Sequence, residues 1–434
     1  MKAAFYTLGC KVNQYESEYM AELLQQEGIE IVSPNEQADI YIINSCTVTA
    51  TADQKTRQNV RKFKRKNPDS VVILTGCMPQ AFNDQASNLA EADIVISNKN
   101  DNELVDYVKK YMEHKERIVD INLHKKGDEF KSCSIENFND RIRAFVKIED
   151  GCDRFCTYCI IPMARGRVRS KKPEELKKEI HELGKNGIKE IVLVGINLSS
   201  YGKGENFNIV DAVKICNDDE NILRVRLGSL EPDYITDDVI EGFSKCKKFC
   251  PQFHLSLQSG CDKTLKNMNR HYTSLEYKEL CNKLRNKFDD ATITTDIMVG
   301  FHEETENDFV ESVNFAKEIG FEKVHVFPYS EREGTVASRR GDNVTKEEKE
   351  RRARLMIEST EKIRKEFLDK QIGKTVNVLF ENEIKNNVYQ GYTKNYVPVR
   401  IESNTDIIGK ELNVTINLVD IKNDCCIASI PTNC

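Results

Sequence analysis

Cys152, Cys156 and Cys159 lie at C-x₃-C-x₂-C spacing within one stretch, Asp150-Gly151-Cys152-Asp153-Arg154-Phe155-Cys156-Thr157-Tyr158-Cys159. Three thiolates on a tight loop can hold three irons of a cubane cluster and leave the fourth iron open. A structural zinc site is closed by four ligands, and an ordinary ferredoxin cluster takes four cysteines. The spacing therefore points to chemistry at an open metal position; the competing readings are three buried thiols or a partial zinc site. Cys10, Cys46 and Cys77 form a second, dispersed set. Each closes a short apolar run rich in β-branched residues: residues 3–10, 39–46 and 71–77. Three cysteines at matching positions favour a second three-ligand cluster site over inert buried thiols.

The elements around these cysteines are strands alternating with helices, which implies parallel sheets of βα units. In such sheets ligands collect beyond the carboxyl ends of the strands, where all three dispersed cysteines would stand. Helical patterns follow at Ser17 to Glu27 and Thr51 to Lys66, the second carrying Lys62, Lys64 and Arg65 as a candidate phosphate patch. From Arg143 the alternation restarts, with strand candidates at residues 144–149, 190–194, 222–228, 253–257, 292–298 and 323–327. Six βα repeats predict a partial (β/α)6 barrel whose active face carries the C-x₃-C-x₂-C loop. A long helix from Lys346 to about Lys370 leads into some five short strands, a small β-barrel of a kind often used for nucleic acids. The expected class is α/β, divided as residues 1–115, a linker at 116–140 with a short strand around Ile118 to Ile121, a barrel with its long helix at 141–370, and the small barrel at 371–434.

Fifteen cysteines in 434 residues, with no run approaching a membrane span, predict a cytoplasmic protein whose thiols stay reduced. Cys133, Cys216, Cys246, Cys250, Cys261, Cys281, Cys425, Cys426 and Cys434 are read as structural. The net charge of −6 excludes indiscriminate nucleic-acid binding, so any RNA contact must be a local basic patch.

The loop spacing, with an aromatic residue before the last cysteine, resembles the signature of the radical S-adenosylmethionine (SAM) superfamily. Together with Leu8-Gly9-Cys10, Asn44-Ser45-Cys46, Thr75-Gly76-Cys77 and Arg224-Val225-Arg226-Leu227-Gly228-Ser229-Leu230-Glu231-Pro232, it resembles the methylthiotransferase family. Leu8 to Ser17, Asn197 to Gly202 and His325 to Ser330 are most similar to the branch acting on N6-threonylcarbamoyladenosine 37 of tRNA. One departure stands out: the family's Gly-Phe-Pro-Gly-Glu-Thr is here Gly300-Phe301-His302-Glu303-Glu304-Thr305. The C-terminal strands resemble the TRAM module, with Tyr392, Lys394, Tyr396 and Arg400 as candidate RNA contacts.

The resemblance implies two [4Fe–4S] clusters, on Cys152, Cys156 and Cys159 and on Cys10, Cys46 and Cys77. It implies SAM held near Tyr158, Gly195, Asn197, Ser229, Glu231, Gln258, Val326 and Phe327. One electron would cleave SAM, the resulting radical would remove hydrogen from C2 of adenine, and the second cluster would supply sulfur that a further SAM methylates. No acid–base residue is implied. The implied partners are tRNA, an external electron donor of flavodoxin or ferredoxin kind, and a sulfur source. Two alternatives keep the chemistry and change the substrate, to isopentenyladenosine in tRNA or a ribosomal-protein aspartate. A third, of another class, is an iron–sulfur electron carrier with an RNA-binding tail.

Overall fold

The computed structural model describes residues 1–135 and 141–431, which leaves Cys434 and residues 136–140 of the expected linker outside the described residues. Six parallel strands form the N-terminal sheet, in the spatial order Glu30–Val32, Lys2–Thr7, Ile40–Ser45, Val71–Gly76, Ile94–Ile96 and Ile118–Asp120. The two central strands, Ile40–Ser45 and Val71–Gly76, are buried along their whole length, as apolar runs covered on both faces must be. Two strands, Glu30–Val32 and Ile94–Ile96, go beyond the sequence reading, each only three residues long and too short to show a period. The short strand expected in the linker is there as Ile118–Asp120 and joins the edge of this sheet. The chain order reverses between Lys2–Thr7 and Ile40–Ser45. A crevice opens at that switch point beyond the strand ends, and the loops carrying Cys10 and Cys46 flank it.

The first helix begins at Lys11, not Ser17. Its early turns bury Val12, Asn13 and Glu16 against other elements, so their burial follows no apolar periodicity a sequence could display.

In the central region, Arg224–Leu227, Glu190–Val194 and Arg143–Lys147 form one parallel sheet. Ser229–Leu230, Gln252–Leu255, Thr292–Val299 and Lys323–Pro328 form the next. The third expected strand breaks at Gly228 and hands the wall from one sheet to the other, so the six repeats curve into a barrel open between its first and last strands. Lys323, His325 and Phe327 alternate as exposed residues on the open-edge strand. Val12, carried by the first helix, packs into the lumen against Val192 and Val194.

Five strands close the C-terminal barrel: Thr375–Lys385, Val388–Thr393, Pro398–Glu402, Cys425–Ser429 and Glu411–Asp420. Two buried arginines of the Arg224-Val225-Arg226 run fasten it to the central barrel. Arg224 donates to Glu411 Oε1 at 2.7 Å, to the Tyr392 carbonyl at 2.7 Å and to Asn377 Oδ1 at 2.8 Å. Arg226 donates to the Lys394 carbonyl at 3.0 Å and to Glu190 Oε1 at 3.1 Å.

The departure at residues 300–305 keeps its turn at a steric cost. Glu303, where the family has glycine, sits at φ +60°, the left-handed region. Asn343 Oδ1 accepts its N–H at 3.0 Å, and Glu304 Oε1 accepts the Gly300 N–H at 2.9 Å. Glu303→Gly is expected to raise stability by about 0.5–1 kcal/mol, the relief of strain exceeding the added unfolded-state entropy. A lowered or unchanged denaturant midpoint would contradict this.

Candidate active site

Cys10, Cys46 and Cys77 meet because two glycines let their loops touch. At Gly9 (φ +105°) a Cβ would lie 2.9 Å from the Cys46 Cβ, and at Gly76 (φ +92°) one would lie 2.5 Å from the Ser45 backbone. Side chains tie the loops: Asn13 Nδ2 donates to Asn44 Oδ1 at 3.0 Å and to the Ser45 carbonyl at 3.1 Å, and Ser45 Oγ donates to the Thr75 carbonyl at 2.6 Å. Cys46 and Cys77 are buried and Cys10 is exposed. Burial pushes the Cys77 thiol up to about 12 and raises that of Cys46; in both cases the neighbouring cysteines of the set add to the shift.

The second set sits on a loop turned by Gly151 (φ +86°), where a Cβ would strike the Arg167 carbonyl oxygen at 2.0 Å. The Cys152 N–H donates to the Gly166 carbonyl at 3.0 Å, and the Cys159 N–H to that of Cys156 at 3.0 Å. Burial raises Cys152 and pushes Cys159 up to about 12, with Cys156 the next cause at Cys159.

Each set also receives one buried guanidinium, which the sequence reading did not single out. Arg165 Nε donates to Cys77 Sγ and Arg270 Nη1 to Cys156 Sγ, both at 3.3 Å. Such N–H···S contacts suit thiolates that carry a cluster's negative charge. Among the described residues no three His, Cys, Asp or Glu side chains are placed to hold a single metal ion. Three soft thiol donors in each set, one of them accepting an N–H from a buried guanidinium, are a donor chemistry that fits an iron–sulfur cluster.

Arg165 ends the short helix Ile161–Arg165, so only five residues of chain separate Cys159 of one set from the arginine whose guanidinium meets Cys77 of the other. Its Nη atoms pair with Glu16 on the first helix, which also accepts from Lys147 Nζ at 2.8 Å. Burial alone would raise the Glu16 carboxyl; Arg165 and then Lys147 more than offset it and hold the group below its usual range. Asp150 completes the cluster, with Arg169 at 3.3 Å and Lys147 at 3.4 Å. A second clasp joins buried Arg332, after the last barrel strand, to Asp53 in the helix following Cys46.

Four of the residues expected around SAM cluster in two places. Gly195, Ser229 and Phe327 line a cavity of about 370 Å³ in the barrel lumen, together with Cys10. A Cβ on Gly195 would meet Glu149 Oε2 at 2.7 Å, which accounts for the glycine. Glu231 Oε2 accepts from Arg270 Nη2 at 2.5 Å, beside the C-x₃-C-x₂-C loop. Tyr158 packs edge-on to Phe301, 6.1 Å between ring centres, and its hydroxyl lies in the field of Cys156 and Arg270. Asn197 is buried, its N–H held by Glu149 Oε2 at 2.7 Å; Asn197 Oδ1 and Glu149 Oε1 are buried polar atoms with no partner among the described residues, and burial raises the Glu149 carboxyl well above its usual range. These unpartnered polar atoms lie behind Gly195, which lines the lumen, and fit hydrogen-bonding groups of a bound cofactor. Gln258 takes φ +71° between the fourth and fifth strands, and Val326 packs against the central core.

The lumen holds further polar groups that the reading passed over. His254 Nε2 lies 3.2 Å from Asp296 Oδ2, and the His254 and His325 rings are 5.9 Å apart. Lys11 enters beside Cys10, its ammonium 5.6 Å from the Phe145 ring centre. It is exposed into the cavity, where desolvation by the surrounding walls, then Arg143 and Arg226, lower its pKa to about 8.

The expected RNA contacts divide. Lys62 and Arg65 are exposed, whereas Lys64 Nζ is held 2.9 Å from both Asp93 carboxylate oxygens. Tyr392 and Tyr396 stack on each other at 4.5 Å, with Arg143 over both rings and Arg226 over Tyr396. These rings therefore belong to the joint between the two barrels. Lys394 is exposed, and Arg400 Nε donates to Gln390 Oε1 at 2.9 Å.

Comparison with known proteins agrees with this arrangement. Residues 2–97 match the family described as Uncharacterized protein family UPF0004, and residues 146–316 match the Radical SAM superfamily. The chain is 38% identical to the threonylcarbamoyladenosine tRNA methylthiotransferase MtaB of Bacillus subtilis, over 95% of this chain and 93% of that protein. It is 37% identical to the tRNA-2-methylthio-N(6)-dimethylallyladenosine synthase of Clostridium beijerinckii, over 94% and 92%. The radical SAM methyltransferase TsrM of Kitasatospora setae shares the fold, with a TM-score of 0.55 at 11% identity, over 75% of this chain and 74% of that one. With SAM and a [4Fe–4S] cluster implied by the superfamily match and tRNA by full-length relatives, the chain belongs to the tRNA methylthiotransferase family of radical SAM enzymes.

Proposed function

We propose that this enzyme converts N6-threonylcarbamoyladenosine 37 of tRNA to its 2-methylthio derivative, using a second [4Fe–4S] cluster on Cys10, Cys46 and Cys77. The observation that carries the reading is the placement of Cys10 at the lumen of the barrel whose rim holds Cys152, Cys156 and Cys159. When bound, the rim cluster supplies an electron for cleaving SAM and the second presents sulfur. The chain's own part is positional. Glu149, Asn197, Ser229 and Glu231, with Tyr158, Gly195, Gln258, Val326 and Phe327, shape the SAM site. Arg165 and Arg270 orient one sulfur in each set, and Val12 helps close the lumen against water.

Assay of the reconstituted protein on tRNA carrying threonylcarbamoyladenosine tests the substrate; turnover of dimethylallyladenosine tRNA alone would overturn it. That second substrate has the 37% identity of the Clostridium beijerinckii protein in its favour. Iron should saturate at about eight per chain, and saturation at one cluster would remove the second site. An external flavodoxin- or ferredoxin-like donor and a sulfur source complete the cycle, in the cytoplasm.

The reading divides the chain as residues 1–115, 116–140, 141–370 and 371–434, the last a TRAM-like module. Lys62, Arg65, Lys394 and Arg400 are proposed to meet tRNA phosphates. Neutralising Lys62 and Arg65 together is expected to weaken tRNA binding and flatten its salt dependence by about two counterions' worth of slope. An unchanged salt slope would clear that helix of a role. Removing the C-terminal barrel is a poor test, since it would strip buried Arg224 and Arg226 of partners.

A further inference from the structure

Among the described residues that line the lumen, Lys11 is a cation whose charge is not already used. Arg226 is paired with Glu190 at 3.1 Å, Lys323 with Asp424 at 2.9 Å, and His254 with Asp296 at 3.2 Å. Arg143 lies 3.2 Å from Glu381. Among the described residues the Lys11 ammonium has neither an ion pair nor a hydrogen bond; it lies over the face of Phe145 and is exposed within a cavity that Cys10 also lines. An unpaired ammonium open to a partly apolar cavity is free to pair with a ligand that brings a counter-charge there.

We infer that Lys11 selects the substrate by pairing with the carboxylate of the threonylcarbamoyl group. The inference rests on the substrate proposed above and assigns a residue to it. In adenine, C2, which takes the sulfur, and C6, which bears the substituted nitrogen, flank the same ring atom. A base that turns C2 toward Cys10 therefore places the substituent's carboxylate a few bonds away, within the sweep of a lysine on the next residue. A dimethylallyl group occupying the same space would cover the ammonium with hydrocarbon and strip its hydration without offering a charge. Lys11 thus attracts one substituent and penalises the other, the two halves of specificity.

The test uses full-length, cluster-reconstituted protein and three anticodon stem-loop RNAs. One carries threonylcarbamoyladenosine, one its carboxyl methyl ester and one dimethylallyladenosine. Wild type is expected to bind and turn over the acid about ten- to hundredfold better than the ester, the usual worth of a charge-assisted hydrogen bond. Lys11→Met should lose that margin on the acid and change little on the ester, while Lys11→Arg should keep most of it. Iron and sulfide content report whether the substitution disturbs the neighbouring cysteine. Equal losses on acid and ester in Lys11→Met overturn the inference. So does a wild type that binds acid and ester alike, an outcome that needs no variant to fold. Wild type that turns over only the dimethylallyl RNA overturns the proposed substrate instead, and the acid-to-ester affinity ratio still decides for or against Lys11.

Discussion

Cys152→Ala protein, reconstituted anaerobically and reduced, is expected to release no 5′-deoxyadenosine from SAM and to form no methylthio product; Cys152 is chosen because Cys156 accepts from buried Arg270. Cys10→Ala should keep SAM cleavage and lose only the product. Both losses should reach the assay background, because a ligand set reduced to two thiolates no longer holds its cluster. The asymmetry follows from the placement of the sets, one on the barrel rim beside Glu231 and Arg270, the other at the sheet edge facing the lumen. Cys10 is the clean probe of its set, since it is exposed and Arg165 does not touch it. Cys77→Ala is a poor one, because it deprives a buried guanidinium of an acceptor. Each variant needs its remaining cluster confirmed by spectroscopy. Product formation by Cys10→Ala at the wild-type rate would end the sulfur-donor role of the N-terminal set.

Glu16→Ala is expected to cost about 3–5 kcal/mol, the penalty for leaving buried charge uncompensated. The carboxylate accepts both Arg165 nitrogens and Lys147, and all three side chains are buried. Among the described residues Asp150 is the carboxylate left within ion-pair distance, at 3.4 Å from Lys147 and 3.6 Å from Arg165. The seam between the N-terminal sheet and the barrel should open first, so the loss is read as an early denaturant transition that wild type lacks. Lys172→Ala is the control. Its pair with Glu205, at 2.9 Å, is half exposed, and such solvent-screened pairs contribute little to stability. A Glu16→Ala midpoint within error of Lys172→Ala would show that the network contributes nothing net.

The sequence resolved the parts of this protein whose signals are local. The C-x₃-C-x₂-C loop, the cysteines at three strand ends and the six βα repeats each announce themselves within a dozen residues, through spacing or period. Nearly all of the N-terminal and barrel topology follows from those periods and the right-handed crossover they require. The short strands Glu30–Val32 and Ile94–Ile96 escaped because three residues carry no period. Tyr392 and Tyr396 read as an RNA-stacking pair from composition, yet their faces are taken by each other and by Arg143 and Arg226, from strands far off in the chain.

By itself, then, the sequence determined which thiols are grouped, which strands carry them and to which family the chain belongs, because all three rest on residue identity at fixed spacing. Only the tertiary structure decided which cations are spent and which are free. Arg165, Arg224, Arg226, Arg270 and Lys11 are alike as letters, and nothing in their neighbours ranks them. Folding pairs the first four with carboxylates, carbonyls or thiols and leaves Lys11 over an aromatic ring in the lumen. The physical reason is that a charge's role depends on what lies within a few ångströms of it, and those neighbours come from elements that only the packed chain brings together.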